Sequence, residues 1–213
     1  MIKKLTIPVD HGNRNMKTTH FLFTTGLSST DRKPAGREDF LQTDGKFYVL
    51  SDKRIPYQRD KTQDERFSIL TRFAIAKELE RTGQVTEEDV VYVSLPIGVP
   101  PKHYSELAER YREYFLGDGK MQNLVYNGRT YHICIQDVAV YPQAYAAMMT
   151  EGEKIRQIPK AVGIDIGGFT SDFLLMRSGS PCLDYCDSME KGVITMYNLS
   201  LIHISEPTRL QLI

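Results

Sequence analysis

The run AVGIDIGGFTSDFLLM, Ala161–Met176, decides how this chain is read. An apolar strand carries one carboxylate, Asp165; two glycines, Gly167 and Gly168, follow it, and a second apolar strand leaves at once. A turn between antiparallel strands can aim several backbone N–H groups at one point, making a concavity that binds anions. Glycine lets a phosphate approach that backbone with no Cβ in the way. A second unit of the same build lies near the start, in LTIPVDHGNRNMKTTHFLF, Leu5–Phe23. There an apolar strand ends at Asp10, a turn-forming run follows, and Lys17 comes next. The strand–Asp–Gly-turn–strand unit therefore occurs twice, a duplication at the level of a domain.

If the two units face one cleft, Asp10 and Asp165 meet there. Paired carboxylates repel phosphate, but they hold a hydrated magnesium ion, which keeps its waters and takes carboxylate and phosphate oxygens. Lys17 supplies a fixed positive charge. The pattern thus reads as a two-sided phosphate clamp around a metal. Other phosphate motifs fail: no G-x-x-x-x-G-K-[ST] occurs, and GIDIGG is not G-x-G-x-x-G. Taken singly, each element has a plainer meaning. An Asp-Gly after a strand is usually a turn, and Gln143 near a helix start usually faces solvent. His11 reads as a turn residue rather than a catalyst. The joint arrangement favours the clamp.

At these residues the chain resembles the actin-like ATPases. VDHGNRNMK is similar to their first phosphate loop, with Asp10, Gly12 and Lys17 in order, and GIDIGGFTSDF to their second, with Asp165, Gly167, Gly168 and Thr170. VYPQAYAAM resembles the connecting helix that carries the water-activating residue, here Gln143, and SLPIGVPP a strand end of the bacterial ParM/StbA plasmid-partition group. The likeness spans Met1 to Asn198. It implies an α/β, actin-like (ribonuclease-H-like) ATPase fold, its first lobe complete and its second truncated, with residues 1–157 as lobe I and 158–198 as the start of lobe II. ATP and Mg2+ are the implied cofactors. Asp10 and Asp165 hold the metal; Gly12, Asn13, Asn15 and Lys17 contact the phosphates from one side; Gly167, Gly168 and Thr170 contact them from the other. Gln143 orients the attacking water, a positioning role of the kind phosphoryl transfer relies on. Self-association into filaments is implied, with a DNA-bound adaptor as a further partner.

Bulk properties are those of an ordinary soluble globular protein. The chain has 213 residues, 41% hydrophobic and 25% charged, and 27 basic residues balance 27 acidic ones. The zero net charge argues against direct nucleic-acid binding. No run approaches the roughly 18 apolar residues of a membrane span, and the start is too charged for a secretory signal. The expected location is the cytoplasm, without membrane contact. Cys134, Cys182 and Cys186 read as free thiols; on a strand the last two, flanking LDY, would share a face.

Outward from the two loops, Leu5–Val9 and Thr19–Thr25 are expected to pair around DHGNRNMK, and KFYVLS to form a strand within the polar stretch 28–62. TQDE, Thr62–Glu65, is a capping-box signal for a helix over 63–81, with Phe67, Leu70, Phe73 and Ala74 inward and Gly83 ending it. VVYVSLP is a buried strand stopped by Pro96. A helix after Pro101 buries Tyr104, Leu107, Tyr111 and Tyr114 and ends at Gly117. Asn127-Gly128 marks a hairpin, a short helix starts near Pro142, and Ile158-Pro159 marks a boundary. Finally, LSLIHISEPTR is identical to a translated frame of a transposon-type sequencing-library adapter. Residues 199–213 are accordingly read as a non-native tail, with a short amphipathic strand at LIHI as the alternative. A fragment ending so is expected to expose one sheet face and to bind ATP poorly.

Two other functions use the same fold. A small-molecule kinase would need a substrate-binding acid, for which Asp137 is the candidate, although a strand-end cap is its plainer role. A non-catalytic interaction protein is argued against by the intact Asp10, Gln143 and Asp165.

Overall fold

The computed structural model describes residues 1–36 and 39–205, the last five by their backbone alone. Packing divides the chain into two units: Met1–Val99 with His103–Pro142, and Pro100–Lys102 with the residues from Gln143 onward. The sequence reading set its boundary at Ile158-Pro159. The packing boundary falls earlier because residues 144–155 lie in the second unit's core.

The first unit is built on a seven-stranded sheet in the order β1-β8-β10-β9-β6-β7-β5. Its strands are β1 (Ile2–Thr6), β5 (Leu27–Thr30), β6 (Phe40–Thr43), β7 (Lys46–Leu50), β8 (Val90–Val99), β9 (Gln122–Tyr126) and β10 (Arg129–Pro142). A smaller sheet runs β2 (Asp10–His11), β3 (Asn15–Lys17), β4 (Leu22–Thr24). Two helices complete the unit, α1 (Arg66–Thr82) and α2 (Tyr104–Leu116). Strand β8 alternates strictly, with Val91, Val93, Leu95, Ile97 and Val99 buried. They join Phe67, Leu70, Phe73 and Ala74 of α1, as the helical period required, and Leu107, Tyr111 and Phe115 of α2. Gly83 and Gly117 end the two helices at φ 61° and 63°, backbone that a Cβ disfavours. Asn127 and Gly128 turn β9 into β10 with φ 51° and 87°, the paired positive values of a tight hairpin turn.

Several local readings give way. The antiparallel partners are not the segments flanking DHGNRNMK but residues within it: Asp10 pairs with Lys17 and His11 with Met16, and only Gly12–Arg14 make the turn. Strand β8 does not stop at Pro96. Ser94 and Pro96 turn their carbonyls to the chain following β1, accepting from Ile7 and Val9 at 3.0 Å each. The amide that Pro96 lacks therefore falls past the end of β1 and breaks no bond to β10. Nor does a capping box start α1. Asp60 accepts from the Thr62 amide and hydroxyl, and Asp64 accepts from the Arg66 amide, so aspartates do the capping expected of Thr62 and Glu65. The polar stretch 28–62 holds most of β5 and all of β6 besides β7, with β6 joined to β7 through Asp44-Gly45 at φ 51° and 76°. Asp137 lies exposed at an irregularity inside β10, not at a strand end.

The second unit holds α3 (Tyr145–Met149), α4 (Gly152–Gln157), β11 (Lys160–Ile166), β12 (Ser171–Arg177), β13 (Ser180–Pro181), β14 (Asp187–Met189) and α5 (Val193–Ser205). Strands β11 and β12 pair antiparallel from Lys160↔Arg177 to Ile166↔Ser171, the hairpin expected of AVGIDIGGFTSDFLLM. Leu174 and Met176 are its buried centre, packed by Ile155, Met148 and Met149. Strand β11 is a sheet edge, and its alternate residues Val162, Ile164 and Ile166 are 60%, 59% and 54% exposed. The short helix α3 begins at Tyr145, three residues after Pro142, with Ala144 before it at φ 68°. Cys182 and Cys186 flank a single helical turn rather than lying on a strand, and the Cys186 thiol donates to the Cys182 carbonyl. All three cysteines are free. Leu201–Ile204 belong to helix α5, not to a strand. The rest of the tail, 206–213, lies outside the described residues.

Candidate nucleotide-binding loops

The first loop is held from beneath by its carbonyls. Thr25, just after β4, donates its hydroxyl to the Gly12 carbonyl at 2.5 Å and its amide to the Arg14 carbonyl at 3.1 Å. No peptide bond here is cis. In a trans peptide the C=O and the following N–H point in opposite directions. Fixing the carbonyls of Gly12 and Arg14 on Thr25 therefore turns the amides of Asn13 and Asn15 away from Thr25. Two such amides form the start of an anion-binding concavity. Gly12 is required for a tighter reason than ligand access: a Cβ there would fall 2.4 Å from the Asn15 carbonyl oxygen. The Asn13 side chain is committed to the protein, its Oδ1 accepting from the Gln58 amide at 2.9 Å.

Asp10 and Lys17 face each other across this hairpin at 2.9 Å, both partly exposed. The structure thus brings Asp10, Gly12, Asn13, Asn15 and Lys17 into one loop. His11 is not a turn residue. It is buried on β2, stacked on Phe115 with ring centres 4.3 Å apart, and its Nε2 lies 2.7 Å from the Thr71 hydroxyl. That hydroxyl donates to the Phe67 carbonyl at 2.7 Å, so it accepts from His11 Nε2–H. Burial, with the charge of Lys61 adding to it, pushes the imidazole down to about 3. His11 is therefore a neutral ring pinning β2 to both helices.

The second loop is held in the same manner by a different device. The Gly167 amide donates to the Thr170 carbonyl at 2.8 Å, closing the turn. The first two amides of α5, Val193 and Ile194, donate to the carbonyls of Gly167 and Gly168 at 3.0 Å each. By the same peptide geometry the amides of Gly168 and Phe169 are turned away from α5. Gly192 permits the approach: a Cβ on it would stand 2.5 Å from Gly167 O, Gly168 C and Phe169 N.

Asp165 is exposed on β11 and directly opposes the buried Asp172 of β12. Like charges so placed repel, an arrangement that a cation relieves. The Thr170 hydroxyl donates to Asp172 at 3.2 Å. Gln143 lies in the same unit, ahead of α3, and its neighbour Ala144 packs toward Gly163, where a Cβ would come within 3.4 Å of the Ala144 Cβ. The Gln143 Oε1 is buried without a hydrogen-bond partner.

Each loop by itself suits a phosphate group: it presents amides, and glycines stand where backbones approach closely. Asp10 and Asp165 are carboxylates of the kind that hydrated magnesium takes one or two of. Among the described residues there is no group of three or more His, Cys, Asp or Glu that could hold a metal ion. Thr25, Gly192, Asp172 and the His11–Thr71 contact were missed by sequence reasoning. The TTG at 24–26 and the glycine before VITMYN carried the only hints.

Comparison with known proteins places the chain. A model described as actin-like proteins, N-terminal domain, matches residues 8–145. The chain belongs to this family of actin-like proteins. Among solved structures it is similar to the apo ParM protein of psk41, at 16% identity and a TM-score of 0.73, covering 96% of this chain and 72% of that one. It is similar to the archaeal actin homolog Ta0583 in complex with ADP, at 19% identity and a TM-score of 0.70, covering 95% and 66%. The AlfA filament bound to AMPPNP matches at 14% identity with a TM-score of 0.67, covering 95% and 76%. No curated protein matches. The fold is actin-like, as the two loops implied.

Proposed function

We propose that the protein is a cytoplasmic ATPase that binds ATP with Mg2+ and assembles into filaments serving plasmid segregation. The observation that supports this reading most is the pair of loops with their carbonyls tied back and their amides presented, each following a strand that carries an aspartate. In it, Asn13 and Asn15 of the first loop and Gly168 and Phe169 of the second donate backbone N–H groups to the terminal phosphates. Lys17 adds charge to the first side, and Gly12, Gly167 and Thr170 shape the approach. Asp10 and Asp165 hold the hydrated magnesium, whose role is to neutralise the charge of the transferred phosphoryl group. Gln143 orients the attacking water; its carboxamide is no strong base, so turnover is slow. The filament reading draws support from the family and from filament-forming neighbours such as AlfA. A DNA-bound adaptor is the partner that plasmid segregation requires.

Sedimentation with magnesium and ATP, with ADP, and without nucleotide tests the reading, run beside phosphate release. ATP-dependent pelleting with slow release, both lost in Asp10→Asn and Asp165→Asn, is the expected outcome. Phosphorylation of an added sugar or acid, or ordered filaments that form equally without nucleotide, would overturn it. No helix among the described residues is long and apolar enough to cross a bilayer.

A further inference from the structure

Thr25 is fully buried, yet it is polar, and every polar group it has is engaged. Its hydroxyl and amide hold the Gly12 and Arg14 carbonyls, and its own carbonyl accepts from the Ile55 amide at 2.8 Å. Gly26 beside it is equally confined: a Cβ there would stand 2.1 Å from the Ser51 carbonyl oxygen. Thr25 therefore sits on a fixed support and reaches the loop from below. A hydroxyl has one proton to give, and this one goes to Gly12. Without it, the Gly12 carbonyl is left with no donor at this site, and a peptide plane swings as a unit. The Asn13 amide is the other end of that plane.

We propose that Thr25 is the positioning residue of the first anion loop. It touches no ligand; it sets the direction in which the Asn13 and Asn15 amides point. The proposal rests on the reading that this loop binds nucleotide phosphates, and it supplies the reason the loop is ready before the nucleotide arrives. Preorganised donors are worth more than donors that must be turned on binding.

The change Thr25→Val replaces the hydroxyl by a methyl that cannot donate, whereas Thr25→Ser keeps the hydroxyl. Both variants of the full chain are compared with the parent by magnesium-dependent binding of a fluorescent ATP analogue, by thermal unfolding, and by hydrogen exchange at the amide of residue 25, which donates to Arg14. Thr25→Val should weaken binding about tenfold or more, the loss expected when one hydrogen bond to a charged group is misdirected. Exchange at residue 25 should accelerate while the amides of β8 and β10 hold, and Thr25→Ser should return both readings to within about threefold of the parent. Equal acceleration throughout the first unit, unchanged binding in Thr25→Val, or failure of Thr25→Ser to restore, each overturns the proposal. A parent that binds no nucleotide but whose residue-25 amide loosens only in Thr25→Val keeps the positioning role and removes the phosphate reading. The two ideas thus fail separately.

Discussion

Gly192→Ala separates backbone propensity from packing because the two predict opposite signs. Its φ lies outside the left-handed region, so alanine fits the backbone, and reduced freedom of the unfolded chain alone would stabilise by about 0.4–1 kcal/mol. Packing says otherwise. The added Cβ would stand 2.5 Å from three backbone atoms of the second loop, whereas ordinary contact begins near 3.4 Å. The loop and helix α5 must then separate by about 0.9 Å, the difference of those distances. The bonds from Val193 and Ile194 to Gly167 and Gly168, both 3.0 Å, would lengthen to about 3.9 Å and cease to count as hydrogen bonds. Two such bonds are worth about 1–3 kcal/mol net. Thermal unfolding followed by circular dichroism should show a midpoint lower by several degrees, on the order of 2–4 °C per kcal/mol. Hydrogen exchange at residues 193 and 194 should accelerate. A midpoint that rises, with those two amides as protected as before, would refute the claim that the helix start grips the loop.

Acid sensitivity should depend on His11. Its folded pKa is lowered to about 3 from 6.5, so between those values the unfolded chain takes up a proton that the folded one refuses. Stability should fall as pH falls through that window, by up to about 1.4 kcal/mol per pH unit. His11→Phe keeps the stack on Phe115 and should flatten the decline between pH 6 and 4 in urea unfolding series; an unchanged slope would show the ring is not buried neutral. Lys17→Ala should alter stability by less than about 1 kcal/mol, because its ion pair with Asp10 is solvent-exposed, while binding of the ATP analogue is lost; normal binding would remove Lys17 from the site. Gln143→Ala should leave the unfolding midpoint unchanged or slightly higher, since it removes a buried Oε1 that has no hydrogen-bond partner. Phosphate release should nevertheless slow about tenfold or more; equal turnover would end its assigned role.

What could be read from the sequence was whatever is local. The Asn127-Gly128 hairpin, the glycine stops at 83 and 117, the inward stripe of α1 and the β11–β12 hairpin all depend on residues a few positions apart, and all formed. Asp10, Gly12 and Lys17 fell into one loop for the same reason. The losses were non-local or competitive. Pro96 reads as a strand end until the neighbouring strand is known to have finished. Thr62 and Glu65 made a plausible cap, but Asp60 and Asp64 are stronger acceptors beside them. His11 could not be recognised as core, because Thr71 and Phe115 lie far along the chain. Thr25 and Gly192 escaped notice because their work is done on peptide groups, which no side-chain motif records.

The bare outer face of β11 bears on how any assembly experiment must be run. Val162, Ile164 and Ile166 line one side of a strand whose free margin offers unpaired backbone groups to whatever comes near. Such a margin favours association between copies whether or not nucleotide is present. A pellet should therefore be expected to mix ordered polymer with adhesive debris. A charged replacement at Ile164 should clear the second while sparing the first, giving the experimenter a clean background against which real polymerisation can be counted.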